Sequence, residues 1–321
     1  MLQVKNLSFS YTESPLLQDI SFILEQGENL SIIGESGCGK STLLQAIFGL
    51  HDVQGEIFWN EKKLLGPQFN IVPGEEFIKY LPQDFDLMPF ISVAENVGKH
   101  LSNIYPQKKK KRIQELLEMV EMADFKNVKA KNLSGGQMQR VALAKVLAKE
   151  PDLILLDEPF AHIDHFRKND LRRRLFSYLK SKNIACIVAT HDKTDALSFA
   201  DKTIVLRNGK IVAEGNPQKI YYTPKNAYVA SLFGEINEIP VHELIPFDDK
   251  TKTVILYPHE LKSGRSGLEV KVISSYFKGS HYLIEAESND KSIFFENKKA
   301  LPDGRILYLK VSEKLLKTRL S

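Results

Sequence analysis

Residues 29–50 read NLSIIGESGCGKSTLLQAIFGL. Within them Gly34-Glu35-Ser36-Gly37-Cys38-Gly39-Lys40-Ser41 meets the pattern G-x-x-x-x-G-K-[ST] at every fixed position, and Thr42 follows. The apolar run NLSIIG predicts a strand that ends at this loop, and KSTLLQAIFGL predicts an amphipathic helix leaving it. Strand, glycine-rich loop and helix N-terminus in that order surround phosphates with backbone N–H groups and partial positive charge. The spacing assigns Lys40 to the β and γ phosphates of a nucleoside triphosphate and Ser41 to Mg²⁺. Cys38 occupies a variable position of the loop, next to a helix N-terminus and Lys40. Those neighbours predict a thiol of lowered pKa, open to alkylation and protected by nucleotide.

Two further stretches extend the site. LILLDEP, residues 153–159, is an apolar strand ending in acid, which delivers Asp157 to the metal and leaves Glu158 beside it as a general base for the attacking water. Leu133-Ser134-Gly135-Gly136-Gln137 then opens a helix that runs through QRVALAKVLAKE and stops at Pro151. Ser134, Gly135 and Gly136 expose backbone donors there, a second anion site. One nucleotide needs one phosphate cradle, so a second cradle far along the chain serves a nucleotide held by another molecule.

The rest of the chain sorts into two textures. Strands and helices alternate in the first: LQVKNLSFSY, DLILLDEP and NIACIVATH read as strands, the last two as central strands buried on both faces. RIQELLEMVEM sets Ile113, Leu116, Leu117 and Val120 at helical spacing, and TIVLRNGKIVAEG is a hairpin turned by Asn208-Gly209. The lysine run Lys108–Arg112 begins a helix against the macrodipole and reads as a solvated face. After about residue 236, TVILY, LEVKVISSYF, HYLIEAE, SIFFE and RILYLKV are short alternating strands. They predict a small all-β module, a five-stranded barrel of the oligomer-binding type. The expected domains are therefore 1–235, with a helical subdomain at about 84–150, and 236–321.

Bulk composition bounds the classes. Of 321 residues 44 are basic and 40 acidic, and the net charge of +4 is too small to argue for nucleic acid. No stretch reaches the roughly 18–20 apolar residues of a membrane span. The alternating N-terminus lacks the apolar core of a signal peptide. Two cysteines, Cys38 and Cys186, make no disulfide framework, which points to a reducing cytoplasm.

With these motifs in this order, residues 1–235 resemble the ATP-binding subunits of ABC transporters, α/β P-loop NTPases with a mixed, largely parallel sheet. The resemblance adds Tyr11, where the family's aromatic stacks on adenine. It adds Gln83 in YLPQDFDLMPF, which touches Mg²⁺ and faces the membrane subunit, and His191 in VATHD, the switch histidine at the γ phosphate. It implies a head-to-tail homodimer holding two ATP molecules between the phosphate loop of one copy and LSGGQ of the other. The segment after Gln83, with Met88, Pro89 and Phe90, would meet the permease.

One departure stands out. Where the family commonly has S-A-L-D after the acids, this chain has Phe160-Ala161-His162-Ile163-Asp164, which keeps Asp164 as a nucleotide-site residue. The spacing His162-Ile163-Asp164-His165 would need further ligands to close a transition-metal site.

The same resemblance sorts the functional classes. Chromosome and repair ATPases insert long coiled coils, many exporters fuse membrane spans, and translation-associated relatives carry two cassettes; none of these fits. IYYTPKNAYVASLFGEIN and LYPHELKSG resemble the lead-in and start of the transport-associated domain of importers for polyamines, ferric iron, sulfate, molybdate and sugars, with Tyr257 and His259 replacing the usual Arg and Glu. The implied protein is an importer ATPase at the cytoplasmic face of a cell membrane. Its cofactors are ATP and Mg²⁺. Its partners are a second copy, permease subunits and, indirectly, a solute-binding protein, with polyamine or ferric iron as the favoured cargo. The alternatives are an exporter ATPase, or a barrel that binds a regulatory ligand or nucleic acid. Tyr276, Phe277, Phe294 and Phe295 would then be stacking platforms, with core packing expected for at least half of them.

Overall fold

The computed structural model describes residues 1–320, apart from the side chains of His165 and Phe166. Two compact units divide it, Met1–Pro217 and Gln218–Ser321.

The first unit holds two sheets. Strands β1 (Leu2–Phe9), β2 (Leu17–Leu24), β4 (Gln54–Trp59) and β5 (Lys62–Lys63) form an antiparallel sheet in the order β2-β1-β4-β5. The other sheet contains β3 (Asn29–Ile33), β6 (Ile78–Leu81), β7 (Leu153–Asp157), β8 (Ala185–Thr190), β9 (Lys202–Arg207) and β10 (Lys210–Gly215), in the order β10-β9-β3-β8-β7-β6. Its pairs are parallel except the β9–β10 hairpin. Asn208 and Gly209 turn that hairpin, both with positive φ, the geometry a tight turn between twisted strands demands.

The continuous apolar strands are buried on both faces, as their composition predicts. Leu153 and Leu155 of β7 face the core shared with the antiparallel sheet and α1 (Lys40–Phe48), while Ile154 and Leu156 face the other side. That second core gathers α2 (Val93–Gly98), α3 (Pro106–Met119), α4 (Gly135–Leu147) and α5 (His165–Ser181). Leu116, Leu117 and Val120 are buried at the α3 end, and Ile113 is packed against them. Strands β2, β4 and β6 carry no run that sequence alone singles out. They complete the sheets because pairing with β1 and β7 satisfies their backbone groups.

The second unit begins inside α6 (Pro217–Tyr222), ahead of the sequence boundary at 235/236. Tyr221 of that helix stacks on Tyr257 with ring centroids 4.5 Å apart and planes 7° apart. Tyr257 also donates from its hydroxyl to Ala230 O in α7 (Ala227–Ser231). These aromatic contacts attach the two short helices to the β-rich part. Strands β11 (Asn237–Pro240) and β12 (Thr253–Leu256) pair on either side of α8 (Val241–Leu244). A five-stranded antiparallel half-barrel follows, built from β13 (Lys262–Gly264), β14 (Leu268–Phe277), β15 (Tyr282–Ser288), β16 (Lys291–Asn297) and β17 (Ile306–Lys310) in the order β13-β17-β14-β15-β16. Helix α9 (Glu313–Leu320) closes the chain. Phe295 is fully buried and Phe294 half-buried, whereas Tyr276 and Phe277 are exposed on β14. Tyr276 donates to Glu285, an acid unsuited to a nucleic-acid platform. Among the described residues, no helix is long and apolar enough to cross a membrane.

Candidate nucleotide site

The loop between β3 and α1 curls tightly enough that Gly39 adopts φ +103°, and a Cβ there would meet the Leu17 side chain at 2.7 Å. Lys40, the first residue of α1, is buried and folds back over the loop, donating to Gly34 O at 2.8 Å and Glu35 O at 2.9 Å. A lysine so placed holds the loop open in an anion-sized curl of backbone amides.

Ser41 donates from Oγ to Asp157 Oδ1 at 3.0 Å, and Tyr80 donates to Asp157 Oδ2 at 3.3 Å. Burial pushes the Asp157 carboxyl above its usual range, opposed by these two hydrogen bonds. Burial and the neighbouring Asp157 push the Tyr80 phenol up as well.

Glu158 follows with φ +48°, an uncommon conformation for a side chain of its size. Its backbone is held on both sides: the N–H donates to Ala189 O at 2.9 Å, and Gln139 Nε2 donates to its carbonyl at 2.8 Å. The strain is thus anchored by two fixed bonds, and it turns the carboxylate toward His191, whose Nδ1 lies 2.8 Å from Glu158 Oε1. Gln83, Ser36, Gly37, Gly39, Lys40, Ser41, Thr42 and Glu158 line one cleft.

The loop carrying His191 is clamped from α5. Arg172, 2% exposed, donates from Nε to Asp195 and from Nη2 to Asp192, both at 2.6 Å, and its guanidinium lies over the Phe160 ring. Against the upward push of burial, the Arg172 hydrogen bond and those from Thr194 hold Asp192 well below the usual carboxylate range, at about 2. Asp195, more deeply set, is pushed up by its burial.

Tyr11 stands apart from the acids, 61% exposed, with its hydroxyl 3.1 Å from His51 Nε2. The signature residues stand apart too. Ser134 Oγ accepts from Gln137 N at 3.3 Å while Gln137 Oε1 accepts from Ser134 N at 2.9 Å, a reciprocal cap for α4. Ser134, Gly135, Gly136 and Gln137 line a second cleft with Arg140, His162, Asp164 and Arg167. The side chain of His165 lies outside the described residues. A Cβ on Gly136 would come within 2.6 Å of His162 O, so the close approach of two backbones requires glycine there. Gln139 links the two clefts: its Oε1 accepts from His162 N at 2.9 Å while its Nε2 donates to Glu158 O at 2.8 Å.

The expectation of an activated Cys38 is overturned. Its side chain is buried in the loop, and burial raises the thiol pKa more than Lys40 lowers it. The sulfur lies 3.9 Å from Lys40 Nζ, but the lysine spends its charge on backbone carbonyls. Several site residues carry no sequence signal. Tyr80 reads as strand packing, Arg172 as one charge in the surface run RKNDLRRR, and Gln139 as one polar residue of a helix. Only contact with Asp157, Asp192 and Glu158 gives them a role.

Residues 17–161 match the family described as ABC transporter. The chain is 33% identical to the Fe(3+) ions import ATP-binding protein FbpC of Haemophilus influenzae (strain 86-028NP), with 92% of each chain covered. The chain belongs to the ABC transporter family. It is also 31% identical to the spermidine/putrescine import ATP-binding protein PotA of Clostridium novyi (strain NT), over 91% of this chain and 89% of that one. Among solved structures, a dimeric ATP-binding cassette in a post-hydrolysis state, bound to ADP and Pi, superposes with a TM-score of 0.60 at 30% identity. That superposition covers 68% of this chain and 99% of the other. As an ABC-family ATPase, the chain binds ATP, and the first cleft is where its phosphate loop lies.

Proposed function

We propose that the chain is the energy-coupling ATPase subunit of an ABC importer, working as a head-to-tail pair of copies on the cytoplasmic face of a membrane permease. One observation carries the mechanism. Lys40, Ser41, Gln83, Asp157, Glu158 and His191 gather around the first cleft, whereas Ser134, Gly135, Gly136, Gln137 and Asp164 line the second. A chain with two unlike halves of a phosphate site supports pairing of each half with its complement on a second copy. Import is supported by the two relatives, each an import ATP-binding protein.

ATP lies with its β and γ phosphates in the loop formed by Gly34, Glu35, Ser36, Gly37, Cys38 and Gly39, whose amides, with that of Thr42, supply donors. Lys40 exchanges its carbonyl partners for phosphate oxygens. The donor set fits Mg²⁺: Ser41 Oγ, Asp157 and Gln83 are hard oxygen ligands, and a buried carboxylate whose partners are neutral hydroxyls is stabilised by an adjacent cation. These three residues would hold the ion, which neutralises charge on the β and γ oxygens when bound. Glu158 accepts the proton of the attacking water, and His191, beside it, faces the γ phosphate. Tyr11 stacks on adenine. The Ser134–Gln137 loop and Asp164 of a second copy complete the site from the far side.

Met88 and Phe90, exposed after Gln83, offer the permease an apolar contact. The cargo follows the relatives, a polyamine or ferric iron, and its selection belongs to other subunits.

The deciding experiment is Glu158→Gln. The variant should elute as an ATP-dependent dimer in size-exclusion chromatography, because it closes without hydrolysing. If it stays monomeric with ATP while wild type turns over, the paired mechanism fails.

A further inference from the structure

A run of side-chain hydrogen bonds joins the acid end of the nucleotide cleft to Tyr11. Asp157 Oδ2 accepts from Tyr80 Oη at 3.3 Å, and Tyr80 is hydrogen-bonded in turn to Gln45. Gln45 stands on α1, whose first residue is Lys40, and its Oε1 lies 3.0 Å from His51 Nε2. The same nitrogen lies 3.1 Å from Tyr11 Oη.

An amide oxygen only accepts, so Gln45 selects the tautomer of His51 that carries its proton on Nε2. Burial lowers the His51 pKa, which keeps the ring neutral, so its single Nε2–H is shared between Gln45 Oε1 and Tyr11 Oη, both of which accept from it. Phe9 stacks under the imidazole at 4.6 Å, and Tyr11 meets both rings edge-on, at 4.8 Å from Phe9 and 5.4 Å from His51.

Tyr11 is otherwise poorly held. It follows β1 in a loop and is 61% exposed. A free side chain of that kind loses rotamer freedom when a ligand stacks on it. His51 removes much of that loss beforehand, because it fixes both the ring and the hydroxyl.

We propose that His51, anchored to the phosphate-loop helix through Gln45, is a positioning residue that fixes Tyr11 as the platform for the adenine base. This rests on the assignment of Tyr11 to adenine. It makes His51 a determinant of base affinity and leaves phosphate affinity untouched.

The test compares two ligands by titration calorimetry, ATP and inorganic tripolyphosphate, on wild type, His51→Phe, His51→Gln, Tyr11→Ala and the double variant His51→Phe/Tyr11→Ala. His51→Phe keeps the ring stack on Phe9 and loses the N–H donor that Gln45 and Tyr11 share. Its ATP Kd should rise about three- to tenfold, the range a net hydrogen bond spans, with tripolyphosphate unchanged. His51→Gln, which restores an N–H donor, should recover part of that loss. Tyr11→Ala should lose at least as much, and the double variant should lose no more than Tyr11→Ala alone. Wild-type ATP affinity in His51→Phe, with Tyr11→Ala weakened, overturns the role of His51 and leaves the platform standing. Equal weakening of both ligands in His51→Phe overturns it as well, as general damage to the loop. Wild-type affinity in Tyr11→Ala removes the platform itself.

Discussion

Glu158 Oε1 and His191 Nδ1 lie 2.8 Å apart at the ends of two adjacent parallel strands, β7 and β8. The sheet fixes that spacing, since Asp157 pairs with Ala189 in register, Glu158 follows Asp157 directly and His191 comes two residues after Ala189. His191 remains largely exposed beside a mostly covered Glu158, so the histidine faces outward over the acid. Replacing His191 with Ala should leave ATP affinity within about threefold and lower turnover by about a hundredfold, the scale of losing one positioned proton-transfer or charge-stabilising group. Single-turnover hydrolysis measured alongside equilibrium ATP binding separates the two. Loss of binding with normal turnover per bound ATP would place His191 elsewhere.

Arg172 carries a stability prediction. Its guanidinium and the Asp195 carboxylate are nearly inaccessible, at 2% and 1% exposure, and lie 2.6 Å apart. Arg172→Met removes the cation from that buried acid and leaves it the Thr190 hydroxyl. Breaking a buried pair from one side costs about 3–5 kcal/mol. A urea midpoint lower by a corresponding amount is expected, and an unchanged midpoint would refute the clamp.

The same clamp sets an acid limb. Asp192 titrates at about 2 when folded, held down chiefly by hydrogen bonds from Arg172 and Thr194 against burial. A depressed carboxyl contributes stability that is present above its unfolded pKa of about 3.9 and is lost as pH falls toward 2. Asp195, raised by burial, acts in the opposite sense and blunts the slope. Asp192 is partly exposed, so solvent screening keeps the effect modest. Thermal melts of wild type between pH 5 and 2 should show a decline that is shallower in Arg172→Met. Parallel profiles would exclude Asp192 as its source.

Cys38 should behave as a covered thiol. Iodoacetamide at neutral pH should label neither cysteine quickly in the folded chain and both after unfolding, because Cys38 and Cys186 are buried and raised in pKa. Cys38→Ala should keep turnover within about threefold, since the position contributes its backbone amide to the loop. Rapid labelling of the folded chain with loss of ATP binding would restore the activated thiol.

Sequence carried the strand–loop–helix unit, the buried central strands and the Asn208-Gly209 hairpin, because each rests on local chemistry: a motif, an apolar run, a turn pair. The strands of the β-rich part were legible for the same reason, through their alternation. The antiparallel strands β2 and β4 were not, since their pairing with β1 is a long-range fact with mixed composition. The same division runs through the site. Residues assigned to the nucleotide occur in motifs, whereas Tyr80, Gln139 and Arg172 contact other site residues and acquire meaning only from packing. Cys38 misled because motif position implied nearby positive charge, while the folded loop buries the thiol, and that burial outweighs the charge of Lys40.

The second cleft yields the last prediction. Gly136 approaches the backbone of His162 so closely that an added Cβ would sit 2.6 Å from its carbonyl oxygen. That oxygen belongs to backbone tied to Gln139, which also holds Glu158, so it has little room to yield. Gly136→Ala must therefore displace the Ser134–Gln137 loop and leave the phosphate loop intact. ATP affinity of the single copy should stay within about threefold, while cooperative turnover falls by about a hundredfold or more, the scale of losing positioned donors around a phosphoryl group. Mixing the variant with an excess of Lys40→Ala chain tests whether the damage is confined to one half. A pair built from the two holds one site with both defects and one with an intact phosphate loop facing an intact signature. Turnover should then rise above that of either variant alone. No recovery would mean that the Gly136 change has spread through Gln139 to Glu158 within its own copy.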